Sequence, residues 1–212
     1  MQVVDLTMKI MPSMRVFSGS PQPSFIAWSK FDIHGYDSEV MFLSTHTGTH
    51  MDAPSHFAPG MPSIDKIPPD RFVSSAVLIK VPKRANQLIE LEDIRKGLSS
   101  IKQHDTVVFM TGWEKQIASK NFMTKNPGLS ADVAKYLVRK KVNAIAIDGP
   151  SIDAGFDSKF TTHRILLPAG VLAVENLCNL GSVEKERFML VTNPLNLAGA
   201  TGSPVRALAI TN

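Results

Sequence analysis

The sequence predicts a mixed α/β fold, and three observations predict it. Short runs rich in β-branched and apolar residues recur along the 212 residues, separated by Pro, Gly and Asn. A helical pattern over 131–140 lies between two such runs, 106–110 and 144–147, an order that suggests a right-handed parallel crossover. The composition, 43% hydrophobic and 20% charged, is that of one soluble globular domain spanning 1–212. Periodicity alone does not separate α/β from α+β.

Taken in order, Val3, Val4, Leu6 and Ile10 give residues 1–10 the pattern of an opening strand. Residues 11–25 are broken by Pro12, Gly19, Pro21 and Pro23, and form either a linker or the lid of a pocket. Residues 25–36 and 39–43 read as strands that deliver the chain to His46. His34, beside Gly35 in a turn, faces solvent.

The stretch 44–57 then holds three of the six histidines and a carboxylate, His46, His50, Asp52 and His56. Imidazole and carboxylate are ligands that zinc, manganese and iron accept, and three protein ligands with one open position is the pattern of a catalytic metal. His46, His50 and Asp52 supply those three, which leaves His56 free to move protons. No regular element fits the spacing. On a helix Asp52 lies off the face shared by His46 and His50, and on a flat strand His46 and Asp52 would be roughly 20 Å apart at about 3.3 Å per residue. The chain has to fold back on itself, and Gly48 and Pro54 are the residues for such a loop. Packing gives no reason for this pattern, since each polar group left unpaired in a buried loop costs about 1–3 kcal/mol.

Beyond the motif, Pro59, Pro62, Pro68 and Pro69 mark an irregular crossing, and 73–81 reads as a buried strand. The acidic start, apolar spacing and Lys-Gln end of 91–101 predict a short helix. His104 follows it on the surface. The strand 106–110 ends in Thr111-Gly112-Trp113, where Trp113 is either core or pocket wall. Ser130 caps the helix 131–140, whose Val133, Leu137 and Val138 share a side. The apolar run 144–147, buried on both faces, empties into Asp148-Gly149-Pro150-Ser151-Ile152-Asp153; its two carboxylates support histidines or simply shape the turn. Glu175 stands in the apolar run 171–177, where a charge is buried only if paired or metal-bound, unless it begins a solvent-facing helix. Residues 188–191 and 205–210 read as the closing strands.

Several classes are excluded. No run approaches the ~20 apolar residues of a membrane span, and the first residues lack a signal-like apolar core, so the chain is expected in the cytoplasm with no membrane partner. The lone Cys178, beside Leu177 and Leu180, is expected as a buried thiol. The net charge of +4 comes from scattered basic residues without aromatic interleaving, which argues against nucleic acid. No Gly-x-Ser-x-Gly elbow is present, against a serine hydrolase.

The His-x-Gly-Thr-His-x-Asp-x-Pro-x-His-Phe pattern of 46–57 resembles the signature of the cyclase-like metal-dependent hydrolase family, of the kynurenine formamidase and isatin hydrolase type. Thr111-Gly112-Trp113, the 148–153 turn and Gly202-Ser203-Pro204-Val205-Arg206 are similar to family stretches too, although Thr201 stands where an Asp is common. The resemblance implies a swivelling β/β/α domain, and it favours Trp113 as a wall near the site. It implies that His163 and Glu175 complete a two-zinc centre, with His50 and Asp52 shared between the ions. It also implies that 15–21 is a pocket segment in which Phe17 takes the place of the family's substrate-facing Trp, with Ser18 and Ser20 for its Pro and Asp. A homodimer or homotetramer is expected on the same ground.

The function expected is hydrolysis of a small-molecule amide, an N-formyl aryl amide or a cyclic amide. A divalent ion, zinc or alternatively manganese, would acidify water and polarise the carbonyl, and His56 would shuttle the proton. A lactonase or isatin-type lactam hydrolase on the same scaffold is the alternative. A non-catalytic metal-binding protein is disfavoured because it has no use for His56.

Overall fold

The computed structural model describes residues 1–211 of the chain. The first half contains β1 (Gln2–Asp5), β2 (Ser24–Ser29), α1 (Phe31–His34), β3 (Ser38–Phe42), β4 (His50–Asp52), β5 (Val73–Lys80) and β6 (Leu88–Ile89). It continues with β7 (Thr106–Met110), β8 (Gly128–Leu129), α2 (Ala131–Arg139), β9 (Ala144–Ile147), α3 (Thr161–Leu166), β10 (Leu172–Glu175), β11 (Arg187–Pro194) and β12 (Gly202–Thr211).

β12, β11, β5, β7, β9, β10 and β4 are hydrogen-bonded in that order, and β4 also pairs with β12, which closes the strands into a barrel. β12 makes the closure possible by its length. Its first residues, Gly202 to Pro204, pair with β4, while Leu208 to Thr211 on the same strand pair with β1. β5, β7, β9 and β10 are parallel neighbours, with α2 crossing from β7 to β9 and α3 from β9 to β10. β4, β11 and β12 run antiparallel to their neighbours.

Strand alternation sorts the core into two layers. Leu78, Val108, Ala146, Val174, Met51 and Ala207 belong to a cluster drawn from every strand of the ring, which is the barrel interior. Their alternates Val77, Val107, Phe109 and Ile145 meet Val133 and Leu137 of α2 and Leu166 of α3 on the outer face. Both faces of the parallel strands are therefore buried, which is why they read as unbroken apolar runs.

The elements depart from the sequence expectations in three places. Residues 91–101 form successive turns with N–H(i)→O=C(i−3) bonds, and only Arg95–Gly97 make a 3₁₀ turn. The cause is packing: Ile94 and Ile101 are buried, and a Cβ at Gly97 would already touch Ile79 at 3.4 Å, so the segment lies too close to β5 for a wider helix. The strand expected over 25–36 stops at Ser29, and a one-turn helix follows, ended by Gly35 at φ 77°. Cys178 is half-buried, its thiol pushed up to about 11 by desolvation and then by the charges of Glu114 and Asp5. Ser130 caps α2 as expected, accepting from the Val133 N–H at 3.4 Å. Among the described residues no helix is long and apolar enough to cross a membrane.

Candidate metal centre

β4 is where the barrel and the chemistry meet. Met51 points into the barrel, so His50 and Asp52 point out of it. The register sets His50 opposite Glu175 at the end of β10 and Asp52 opposite Ala173, while on its other edge Asp52 faces Gly202. α3 covers this outer face and directs His163 down at the two carboxylates. His46 returns to the same spot because the chain reverses at Gly48, whose φ of 65° is open to glycine and where a Cβ would also press on Ile10 at 3.1 Å. Gly202 makes room for it: a Cβ there would lie 2.6 Å from His46 Cε1.

The ring nitrogens are sorted by their hydrogen bonds. His50 Nδ1 donates to the Gly48 carbonyl at 2.8 Å, so Nε2 is the nitrogen turned to the carboxylates, with Asp52 Oδ1 at 3.4 Å and Glu175 Oε2 at 3.5 Å. His163 Nδ1 donates to Asp153 Oδ2 at 2.5 Å, and its Nε2 lies 3.2 Å from both Asp52 Oδ2 and Glu175 Oε1. His46 has Nδ1 2.7 Å from Asp52 Oδ1 and Nε2 3.0 Å from Thr201 Oγ1. Asp153 is fixed in turn, accepting from the N–H and hydroxyl of Thr162 at 2.6 and 2.5 Å, and Glu175 Oε1 accepts the Ile152 N–H at 2.8 Å. A carboxylate that grips the far nitrogen of an imidazole is the arrangement that orients histidine ligands of metals.

Two groups of ligand atoms could hold an ion, His46 with His50 and Asp52, and Asp52 with His163 and Glu175, the atoms of each lying within 4.8 Å of one another. The shared group is Asp52. His50 was expected to be shared as well, but its Nδ1 proton is spent on Gly48, so a single lone pair faces the site, whereas Asp52 offers two oxygens. The donor set fits a divalent cation: the ion-pair contacts of Asp52 and Glu175 run only to histidines, so their negative charge is met by imidazoles alone.

The electrostatics agree. Burial pulls the His50 imidazole down, but the hydrogen bond and charge of Asp52 and the charge of Glu175 outweigh it and leave it raised to about 9. His163 is likewise raised, with Asp153, Asp52 and Glu175 overcoming its burial. Burial opposes the charge on Asp52, yet hydrogen bonds from His163, His46 and His50 hold its carboxyl well below the usual range. His56 behaves differently. It stacks on His46 at 4.0 Å and meets Phe57 edge-on at 4.7 Å, and desolvation by these neighbours, then the nearby imidazoles, push it down to about 4 against the pull of Asp52.

These groups form the floor of a cleft of about 320 Å³ that Phe17, Phe57, Phe160, Met123 and Asn176 also line. Phe57 stacks on His163 at 4.7 Å, and Phe160 bridges Phe57 at 5.4 Å and Phe17 at 6.2 Å. The segment 11–25 thus supplies a pocket wall through Phe17 and Ser20 rather than a bare linker. At two positions the structure decides between alternatives that the sequence left open. Trp113 packs with Met8 and Phe122 and donates its Nε1–H to the Phe122 carbonyl at 2.9 Å, so it is core beneath the wall. Asp148 holds no histidine; it accepts from Thr111 and Gly112 and ties β7 to β9. Phe160, Asn176 and Thr201 were not singled out as site groups by the sequence. Asn176 carried a signal in its place beside Glu175, and Thr201 one in standing where the similar family stretch commonly has an Asp.

An aromatic-walled cleft over two histidine and carboxylate sets on a strand barrel defines a metal-dependent hydrolase scaffold. Residues 4–154 match the family described as "Putative cyclase", and the chain belongs to that family. It is 28% identical to a kynurenine formamidase of Bacillus cereus, over 97% of this chain and 95% of that protein. Its fold matches isatin hydrolase A from Labrenzia aggregata bound to benzyl benzoate with a TM-score of 0.89 at 26% identity, covering 98% of this chain and 93% of the other. It also matches a "potential metal-dependent hydrolase with cyclase activity" with a TM-score of 0.82 at 28% identity, over 98% and 96% of the two chains. The mixed α/β class read from the sequence is that of these structures.

Proposed function

We propose that this chain is a metal-dependent hydrolase of a C–N amide bond, acting on an N-formyl aryl amide or a cyclic amide. One observation carries the reading: two buried donor sets share a carboxylate at the floor of a cleft walled by Phe17, Phe57 and Phe160. The relatives named a formamidase and an isatin hydrolase support the same bond type. In this reading His46, His50 and Asp52 hold one ion, and Asp52, His163 and Glu175 hold a second. The ion is zinc, with manganese as the alternative that the same donors accept. When bound it supplies Lewis acidity, acidifying water and polarising an amide carbonyl.

The chain's own residues do the rest. Gly48 and Asp153 keep the His50 and His163 rings turned with Nε2 toward the carboxylates. The three phenylalanines take the aryl or lactam ring, stacking being worth about 0.5–1.5 kcal/mol beyond burial. His56, held low and therefore neutral at pH 7, accepts the proton that water gives up as its oxygen bonds to the carbonyl carbon. It returns that proton to the nitrogen as the C–N bond breaks, so amine and carboxylate depart. The protein works as a cytoplasmic homo-oligomer.

A second reading, an isatin-type lactam hydrolase with a single manganese, is favoured by the first donor set, which has the three protein ligands a catalytic ion needs by itself. Metal analysis of the purified protein together with hydrolysis rates on N-formylkynurenine and isatin separates them. Two ions per chain with turnover of the formyl amide support the first reading. One manganese with turnover of isatin moves the assignment to the second, and no metal-dependent turnover of either overturns both.

A further inference from the structure

Beside the metal cleft lies a larger cavity, of about 610 Å³, that the proposed reaction does not use. Two stretches wall it, Met8 to Gln22 and Ile117 to Thr124. The segment 15–20 is the partition between cavity and cleft. Phe17 and Ser20 line the cleft, whereas Arg15, Val16 and Ser18 line the cavity, and Met123 lines both. The cavity floor is apolar: Met8 and Phe122 are buried around Trp113, with Met14 and Met123 packed against them. Met11 and Ile117 add apolar surface to the lining, at 39% and 42% exposure.

The charge on these walls is of one sign. Residues 6–31 and 115–131, which supply every lining residue, hold Lys9, Arg15, Lys30, Lys115, Lys120 and Lys125 and no Asp or Glu. They carry +6 in a chain whose net is +4, so the rest of the chain carries −2. Lys9, Arg15 and Lys120 line the cavity itself, and no ion pair among the described residues involves any of them. Arg15 is held in place: its Nη2 donates to the Ala118 carbonyl of the other stretch at 3.1 Å, which positions the guanidinium without neutralising it. Three uncompensated cations around one cavity attract an anion. Inorganic phosphate would meet the cations and leave the methionine surface wet. A carboxylate on an apolar body uses both, and thioether side chains adapt to the shape of such a body. The volume falls within the ~300–1,000 Å³ of sites for small organic molecules.

We propose that this cavity is a second ligand site, for a small organic anion that joins a carboxylate to an apolar body. Its occupant lies against the back of the partition that carries Phe17. It also bears on residues tied to the metal loop, since the Met8 N–H donates to Thr49 Oγ1 at 2.7 Å and Met14 Cε lies 3.6 Å from where a Cβ on Gly48 would stand. The test reads binding and not turnover, so it stands or falls apart from the proposed reaction. Calorimetric titration of the metal-loaded protein with 2-naphthoate should show one site per chain with Kd below about 1 mM. Naphthalene-2-carboxamide has the same body without the charge, and inorganic phosphate the charge without the body; each should bind about tenfold more weakly or less. Arg15→Gln with Lys120→Gln should weaken 2-naphthoate about tenfold with metal content unchanged. Lys120→Gln alone, at an exposed side chain, guards against misfolding and should weaken it about two- to threefold. Amide exchange in 8–16 and 117–124 of the unaltered protein should slow on saturation. No heat of binding at about 5 mM 2-naphthoate overturns the proposal, as does equal affinity for the carboxamide or phosphate, or undiminished affinity in both variants. Protection confined to 46–57 and 160–163 overturns it in favour of a carboxylate bound in the metal cleft.

Discussion

His56 differs from every other polar group in the cleft in being held by ring stacking, against His46 and Phe57, while the neighbouring imidazoles are pinned by carboxylates or carbonyls. A group fixed in position but not tied to Asp52 or Glu175 is suited to carry a proton, and this makes it separable from the metal ligands. His56→Asn should leave metal stoichiometry unchanged while lowering kcat by about 10²–10⁴. Metal analysis beside steady-state kinetics checks this, and loss of metal in the variant would make His56 a ligand. At this scale the sequence revealed the groups that betray themselves by chemistry. His46, His50, Asp52 and His56 crowd eleven positions, and Glu175 is a charge in an apolar run. It marked Thr201 only as a departure from a common Asp and could not reveal that its hydroxyl reaches His46 Nε2 from 155 positions away, because no local pattern encodes so distant a contact. Nor could it reveal Phe160, whose ring reaches the cleft from a backbone at φ 54°, a conformation that no sequence pattern marks for a bulky residue.

Among the elements, the three-residue β4 sets the geometry. Too short to show a pattern of its own, it is fixed by β10 and β12 on either side; the sequence showed an apolar run for the first and a closing strand for the second, but not the pairing of either with β4. The helix expected over 91–101 failed for the same reason in reverse: its apolar spacing was real, but contact with β5 decided its backbone. The β4–β12 contact also yields a test. A Cβ at Gly202 would stand 2.6 Å from His46 Cε1 and 2.7 Å from the Met51 carbonyl, and the second atom belongs to strand backbone that cannot swing aside. Gly202→Ala should therefore displace His46 or part β12 from β4, at a cost of about 1–3 kcal/mol, the usual range for overpacking. Reduced metal content and a lowered melting temperature are the expected outcomes; a variant with full occupancy and unaltered melting would show that the closure yields without strain.

For the molecule as a whole, the donor sets join three segments distant in sequence, the 46–52 turn and strand, α3 and β10, and Thr201, just before β12, bonds His46 from a fourth. An ion that binds only this folded arrangement adds about 2.7 kcal/mol of stability at 100 times its Kd. For a chain of this size that is a rise of about 5–10 °C in Tm, at about 2–4 °C per kcal/mol. Stripping the protein with a chelator should remove that increment, and pH sets the size of the gap. In the stripped protein His50 is raised from 6.5 to about 9, so its stabilising charge is fully present below 6.5 and is lost as pH rises through 9. Asp52, depressed well below its ordinary range, contributes a constant amount across that window and loses it only in acid. The loaded protein follows the opposite slope, since an ion requires neutral imidazoles and gains affinity as protons leave them. Between pH 6 and 9 the stripped form weakens while the loaded form strengthens, so the Tm difference must widen. Melting curves with and without chelator at pH 6, 7.5 and 9 measure it, and a gap that stays level or narrows would mean that the ions are not held by these imidazoles.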